Sequence, residues 1–220
     1  QGDDGAAGNP VNPHGHRTAY LWEQVWARES WLEILGRYLI AKLDAKKQVA
    51  SIIFPRFHQL EVTRRLQATV LAQAKATNYL IQHSAGSGKS NSIAWLAHRL
   101  ASLHDDNDEK VFHSVVVITD RRVLDQQLQN TIYQFEHKTG VVEKIDKHSD
   151  QLAQALASGT PIIISTIHKF GFIQDKIGQL PDRRYALIVD EAHSSTSGEM
   201  AVSVKELLAD SSLDEKLTAE

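Results

Sequence analysis

The sequence predicts an α/β fold, with helices on both faces of a mainly parallel sheet. Three observations carry that expectation. Short continuous apolar runs recur at Val115-Val116-Val117-Ile118, Ile162-Ile163-Ile164 and Leu187-Ile188-Val189. Such runs suit strands covered on both faces, as parallel strands are. Between them lie stretches with apolar residues at helical spacing, the alternation that builds a layered α/β domain. Finally, polar clusters follow directly on apolar runs, and parallel sheets present their ligand sites at the carboxyl ends of strands.

Taken in order, residues 1–17 hold Gly2, Gly5, Gly8, Pro10, Pro13 and Gly15 with few apolar side chains, which reads as linker or disorder. Residues 18–50 read as a helical appendage. From Ala19 to about Ala45, Trp22 and Trp26 stand four apart, and Leu32, Leu35 and Leu39 follow at helical spacing. These tryptophans suit packing. The main domain is expected over 51–220. Ile52-Ile53-Phe54-Pro55 is extended, because Pro55 disfavours a helical Phe54. A helix is predicted from His58 to about Lys75, with Leu60, Leu66, Val70 and Ala74 on one side. A strand is predicted at 79–82 and a helix at about 89–103, striped by Ile93, Leu96, Ala97, Leu100 and Leu103. The acidic stretch His104–Lys110 is a loop. After the strand at 115–118, Leu124, Leu128, Ile132 and Phe135 stripe another helix. Ser149 or Asp150 caps a helix carrying Leu152 and Leu156, and Gly159 ends it. No internal repeat is evident.

The bulk composition narrows the function classes. With 220 residues and 42% hydrophobic content, the chain can build one substantial domain plus an appendage. Its 24 basic and 27 acidic residues give a net charge of −3, so any nucleic-acid contact must be local or shared with another domain. Without cysteine, neither a disulfide framework nor a Cys-based zinc site exists. No apolar run approaches the roughly 20 residues of a membrane span, and no signal-peptide pattern opens the chain. A soluble cytoplasmic protein is expected. Gln1 at the start, and Leu217-Thr218-Ala219-Glu220 without a recognisable stop, suggest a piece of a longer chain.

Two clusters carry chemistry. The first is Gln82-His83-Ser84-Ala85-Gly86-Ser87-Gly88-Lys89-Ser90, set between the predicted strand and helix. Gly86 and Gly88 permit backbone conformations that a Cβ would oppose. The N–H groups from Gly86 through Ser87 and Gly88 to Ser90 can then face phosphates at the positive end of the helix. Lys89 suits the β/γ-phosphates, and the Ser90 hydroxyl suits Mg²⁺. The usual spacing G-x-x-x-x-G-K-[ST] wants glycine where His83 stands, so the strict pattern fails while its core is intact. About a hundred residues later, Asp190-Glu191-Ala192-His193 ends the run Leu187-Ile188-Val189. Charge at a buried strand end needs a partner, and a metal supplies one. Asp190 would hold Mg²⁺ and Glu191 would orient or deprotonate water. In this order the clusters predict ATP binding by a P-loop NTPase (RecA-like) three-layer fold of the helicase-like motor class. An ordinary Gly-Ser loop opening a helix is the plainer alternative.

Asp190-Glu191-Ala192-His193 is the box that names a branch of the superfamily 2 helicases. From about Asn9 onward the chain resembles the R (restriction and motor) subunit of type I restriction-modification enzymes. The residues concerned are Gly8-Asn9-Pro10, Arg17-Thr18-Ala19-Tyr20-Leu21-Trp22-Glu23, Phe54-Pro55-Arg56-Phe57-His58-Gln59 and the phosphate-loop run from Asn78 to Ser90. Val117-Ile118-Thr119-Asp120-Arg121-Arg122-Val123-Leu124 and Asp190-Glu191-Ala192-His193-Ser194-Ser195 complete them. His83 is at home in that family. The resemblance covers nearly all of this chain but part of the family protein.

The resemblance implies further roles. Gln59 matches a glutamine that reads adenine, its amide both donating and accepting; a surface glutamine at a helix start is the alternative. Thr119, Arg121 and Gln127, with Arg122 adding charge, match a motif that contacts the DNA backbone. Thr166, His168 and Lys169 resemble the next such motif. His193 would couple the nucleotide and DNA sites, although a lone histidine also suits a structural place. The implied partners are double-stranded DNA and the methylation (M) and specificity (S) subunits, with the isolated piece monomeric. The implied cofactors are ATP and Mg²⁺. A second motor lobe carrying an arginine finger, and a nuclease domain, would lie outside this chain. Glu136-His137-Lys138 has nuclease-like spacing but sits on a predicted helix without a paired aspartate. The alternatives are a superfamily 2 DNA or RNA motor without nuclease, and a nucleotide-binding module that does not hydrolyse.

Overall fold

Six successive buried residues, Ser114–Thr119, form the strand around which the sheet assembles. The computed structural model describes residues 12–44, 46, 48–73, 77–84, 86–119, 122–136, 140–145, 149–166 and 183–190. The chain divides into two compact units, Gln1–Val62 and Thr63–Glu220.

In the first unit, helical turns at Leu21–Val25 lead to α1 (Arg28–Glu33) and a further turn at Ile34–Tyr38. Two of these turns are wide, with Trp26 N donating to Leu21 O at 2.8 Å and Leu39 N to Ile34 O at 3.0 Å. Ile34 and Tyr38 are buried, whereas Trp22 and Trp26 are 46% and 56% exposed, so the tryptophans are not the packing residues that their spacing suggests. Helix expected through Ala45 stops at Leu39, whose ψ of 120° turns the chain extended. An antiparallel hairpin follows, β1 (Ile40–Leu43) with β2 (Val49–Ile53). Leu32, Leu35 and Leu39 lie in the helical segments or at their end, as their spacing suggests, and the departure from helix is confined to the residues after Leu39. The side chain of Asp44 closes the hairpin turn: Asp44 Oδ1 accepts from Lys46 N and Gln48 N at 2.8 and 2.9 Å. Extended structure before Pro55 is as expected. Next, α2 (Phe57–Ala72) begins where the glutamine reaches back, Gln59 Oε1 accepting Arg56 N–H at 2.9 Å as in a capping box.

In the second unit, α3 (Lys89–Ala101) precedes β3 (Ser114–Thr119), and α4 (Arg122–Gln134), β4 (Val142–Lys144), α5 (Ser149–Ser158), β5 (Ile162–Thr166) and β6 (Tyr185–Val189) follow. All strand pairs are parallel and the order is β4-β5-β3-β6. The α/β class is therefore as predicted. Strand residues alternate between faces. Val116, Ile118 and Ile163 pack with Leu152, Ala155 and Leu156 of α5 in one apolar cluster. Val115, Val117, Ile162 and Ile164 turn to the other face, and α3 packs against these strands and against α4. Trp95 of α3 meets Phe135 with ring centroids 5.2 Å apart, and His98 Nε2 lies 2.9 Å from Ile132 O.

Two differences from the sequence reading matter. The expected strand at 79–82 belongs to no sheet among the described residues, and Leu80 is 86% exposed. An apolar run becomes a strand only when a sheet edge accepts its backbone, and among the described residues no edge accepts this one. By contrast, β4 was not expected. It is short and mixed in polarity, and Glu136 Oε1 fixes its start by accepting Val141 N and Val142 N at 2.7 and 3.1 Å. That bond gives Glu136 a structural role.

Truncating Leu152, fully buried in the α5 cluster, should cost about 2–5 kcal/mol as Leu152→Ala, read from urea unfolding. A second test concerns Tyr185, whose hydroxyl is sealed from water without a partner among the described residues. Burial pushes its pKa above the ordinary 10.0, and the charge of Arg183 pulls it partly back. The folded state then keeps the phenolic proton to higher pH than the unfolded chain, so stability falls as pH rises past about 10. Tyr185→Phe should abolish that alkaline loss and leave the urea midpoint at pH 7 unchanged or higher.

Candidate nucleotide site

The two polar clusters meet at the carboxyl rim of the sheet. Lys89 Nζ lies 3.0 Å from Asp190 Oδ1, with side chains 36% and 15% exposed. The sheet brings them there. Parallel pairing of β6 with β3 ends in Asp190 N donating to Ile118 O at 2.9 Å, which pins the aspartate at the strand end. The phosphate loop delivers the lysine. Gly86 and Gly88 have φ of +74° and +85°, the left-handed region that glycine enters without strain. Gly88 is the N-cap of α3 and offers no side-chain cap, while its carbonyl accepts Asn91 N and Ser92 N at 3.0 and 3.2 Å. Lys89 and Ser90 thus open the helix, half-buried, at its positive end.

His83 joins the same loop, its Nδ1 lying 3.0 Å from Ser87 Oγ. Ser87 N donates to Ser84 O at 3.2 Å, closing the turn between them. Sequence reasoning missed this bond. The only signal was a histidine four positions before a serine in a loop that usually begins with glycine.

The other expected residues divide. Thr119 and Thr166 are register partners at the ends of β3 and β5, so they share the rim with Asp190. Thr119 is buried at 2% exposure and Thr166 is half-buried. Gln127 is exposed on α4, and Arg122 begins that helix. Gln59 belongs to the first unit, 2% exposed and engaged with Arg56 N. Arg121, His168, Lys169, Glu191 and His193 lie outside the described residues.

The donor set suits a nucleotide with its metal. A cation already sits on Asp190 in the form of the Lys89 ammonium, and a Cβ on Gly86 would meet nothing within 4 Å, leaving room beside the loop. Among the described residues, no group of three His, Asp or Glu side chains could hold a metal alone.

A parallel sheet with a glycine loop and an acidic strand end on one rim defines a P-loop nucleotide-binding fold. The family model for SWI2/SNF2 ATPases matches residues 58–213, and the chain belongs to that family. Among solved structures, the chain is similar to the UvsW helicase from bacteriophage T4, with 15% identity and a TM-score of 0.53. The match covers 84% of this chain and 57% of that one, so the chain spans a little over half of the helicase's length. That likeness supports the fold. No curated protein matches significantly. Among the described residues, no helix is long and apolar enough to cross a membrane.

Gly86 and Gly36 both have open space where a Cβ would stand, but only Gly86 has positive φ. Gly86→Ala should therefore weaken binding of a fluorescent ATP analogue about five- to thirtyfold, matching a strain of about 1–2 kcal/mol. Gly36→Ala should leave that affinity unchanged.

Proposed function

We propose that this chain is the first motor lobe of the R subunit of a type I restriction-modification enzyme. In that enzyme, ATP hydrolysis drives translocation along double-stranded DNA before a nuclease domain elsewhere in the protein cuts. The observation carrying the nucleotide half of this reading is the 3.0 Å contact between Lys89 and Asp190. The restriction half rests on the sequence runs around Arg17–Glu23, Phe54–Gln59, Asn78–Ser90 and Val117–Leu124. Residues 1–17 would be linker, 18–50 the appendage and 51–220 the lobe.

The residues divide the work by their chemistry. Lys89 can exchange Asp190 for the β/γ-phosphates, which frees the carboxylate for a cation. Ser90 and Asp190 would hold Mg²⁺, which supplies neutralising charge to the phosphate oxygens. Glu191 would orient or deprotonate the attacking water, and Gln59 would read adenine. Arg121, Arg122, Gln127, Thr119, Thr166 and Lys169 would contact the DNA backbone, and His193 would couple that contact to the nucleotide. A second lobe would supply the arginine that completes hydrolysis. Double-stranded DNA and the M and S subunits would be the partners. A second reading, a motor lobe without a nuclease, is favoured by the likeness to a protein described as a helicase.

In the complete protein, Lys89→Ala and Glu191→Gln should each lower DNA-stimulated ATPase by at least about a hundredfold. Glu191→Gln should still bind ATP. Normal turnover in either variant would sink the assignment. ATP-dependent cleavage of duplex DNA by the complete protein with the M and S subunits is expected of the restriction motor, and DNA-stimulated ATPase without cleavage would favour the second reading.

A further inference from the structure

We infer that His83 is a positioning residue for the nucleotide's phosphates, acting through the Ser87 hydroxyl. The inference rests on the nucleotide-binding part of the proposed function and adds a role that this function leaves unassigned. His83 Nδ1 and Ser87 Oγ are 3.0 Å apart across a turn of four residues. Both residues are half-buried, and His83 Nε2 is sealed from solvent. The bond spans the stretch in which Gly86 turns to positive φ, immediately before Gly88 and Lys89. It therefore ties the start of the loop to the segment whose N–H groups and side chains face an anion. Glycine at position 83 could make no such tie.

The tautomer determines the consequence. With the proton on Nδ1, the imidazole donates to Ser87 Oγ and does not consume the serine proton. With the proton on Nε2, the serine hydroxyl is consumed by Nδ1. An anion-binding loop favours the first arrangement, in which His83, as the donor, fixes the hydroxyl oxygen and the ring takes no proton from the serine. The loop is then held near its binding geometry before the nucleotide arrives, which lowers the ordering cost of binding.

A double-mutant cycle on the 220-residue chain tests this, reading ATP and ADP affinity by fluorescent-analogue displacement and stability by urea unfolding. His83→Ala and Ser87→Ala should each weaken both nucleotides about three- to tenfold, the effect of one lost hydrogen bond. The double variant should be no weaker than the poorer single variant, and all urea midpoints should agree. His83→Asn, whose amide N–H can stand where Nδ1–H stood, should recover most of the lost affinity. Additive losses, wild-type affinity in His83→Ala, or no recovery with asparagine would overturn the role of His83 while leaving the ATP site intact. A wild-type chain that binds neither nucleotide would instead overturn the reading on which the inference rests.

Discussion

Everything at the nucleotide site depends on the parallel pairing of β3 with its two neighbours. Because β5 and β6 run in the same direction as β3, their carboxyl ends fall on one rim, and Thr119, Thr166 and Asp190 arrive there together. A parallel ladder also requires cover on both faces. Here β3 is buried along its whole length, between the α5 cluster and the side on which α3 packs. The same helix α3 begins at the phosphate loop, so the packing that buries the sheet also aims Lys89 at the end of β6. Burial and site geometry are thus one constraint.

The Lys89–Asp190 pair follows from that constraint. A carboxylate only 15% exposed at a strand end needs a positive partner, and the lysine supplies it. In the proposed function a triphosphate would take the ammonium and a divalent cation the carboxylate, so both charges would stay paired in that exchange. The glycine conformations and the His83–Ser87 bond shape the loop independently of that exchange.

Much of this was legible in the chain itself. The buried strands at 115–118, 162–164 and 187–189 were evident because three or four consecutive apolar residues suit a two-sided burial that few other structures offer. The helices α3, α4 and α5 were evident from their stripes, and Gly159, with φ of +74°, ends α5 as its position suggested. Long-range pairing was not legible. The run 79–82 has strand composition but no partner edge among the described residues, while β4 has poor composition and a place beside β5. In the first unit, the helix expected through Ala45 ended at Leu39 and a hairpin followed, its turn closed by the side chain of Asp44.

The sequence by itself determined the chemistry. Lys89, Ser90 and Asp190 belong to local patterns whose residue types and spacing suit phosphate and metal ligation. Only the tertiary structure decided that Lys89 and Asp190 touch and that Thr119 is buried. The physical reason is range. A motif encodes interactions across a few residues of backbone, whereas contact between residues about a hundred positions apart depends on which strands pair and which faces are covered.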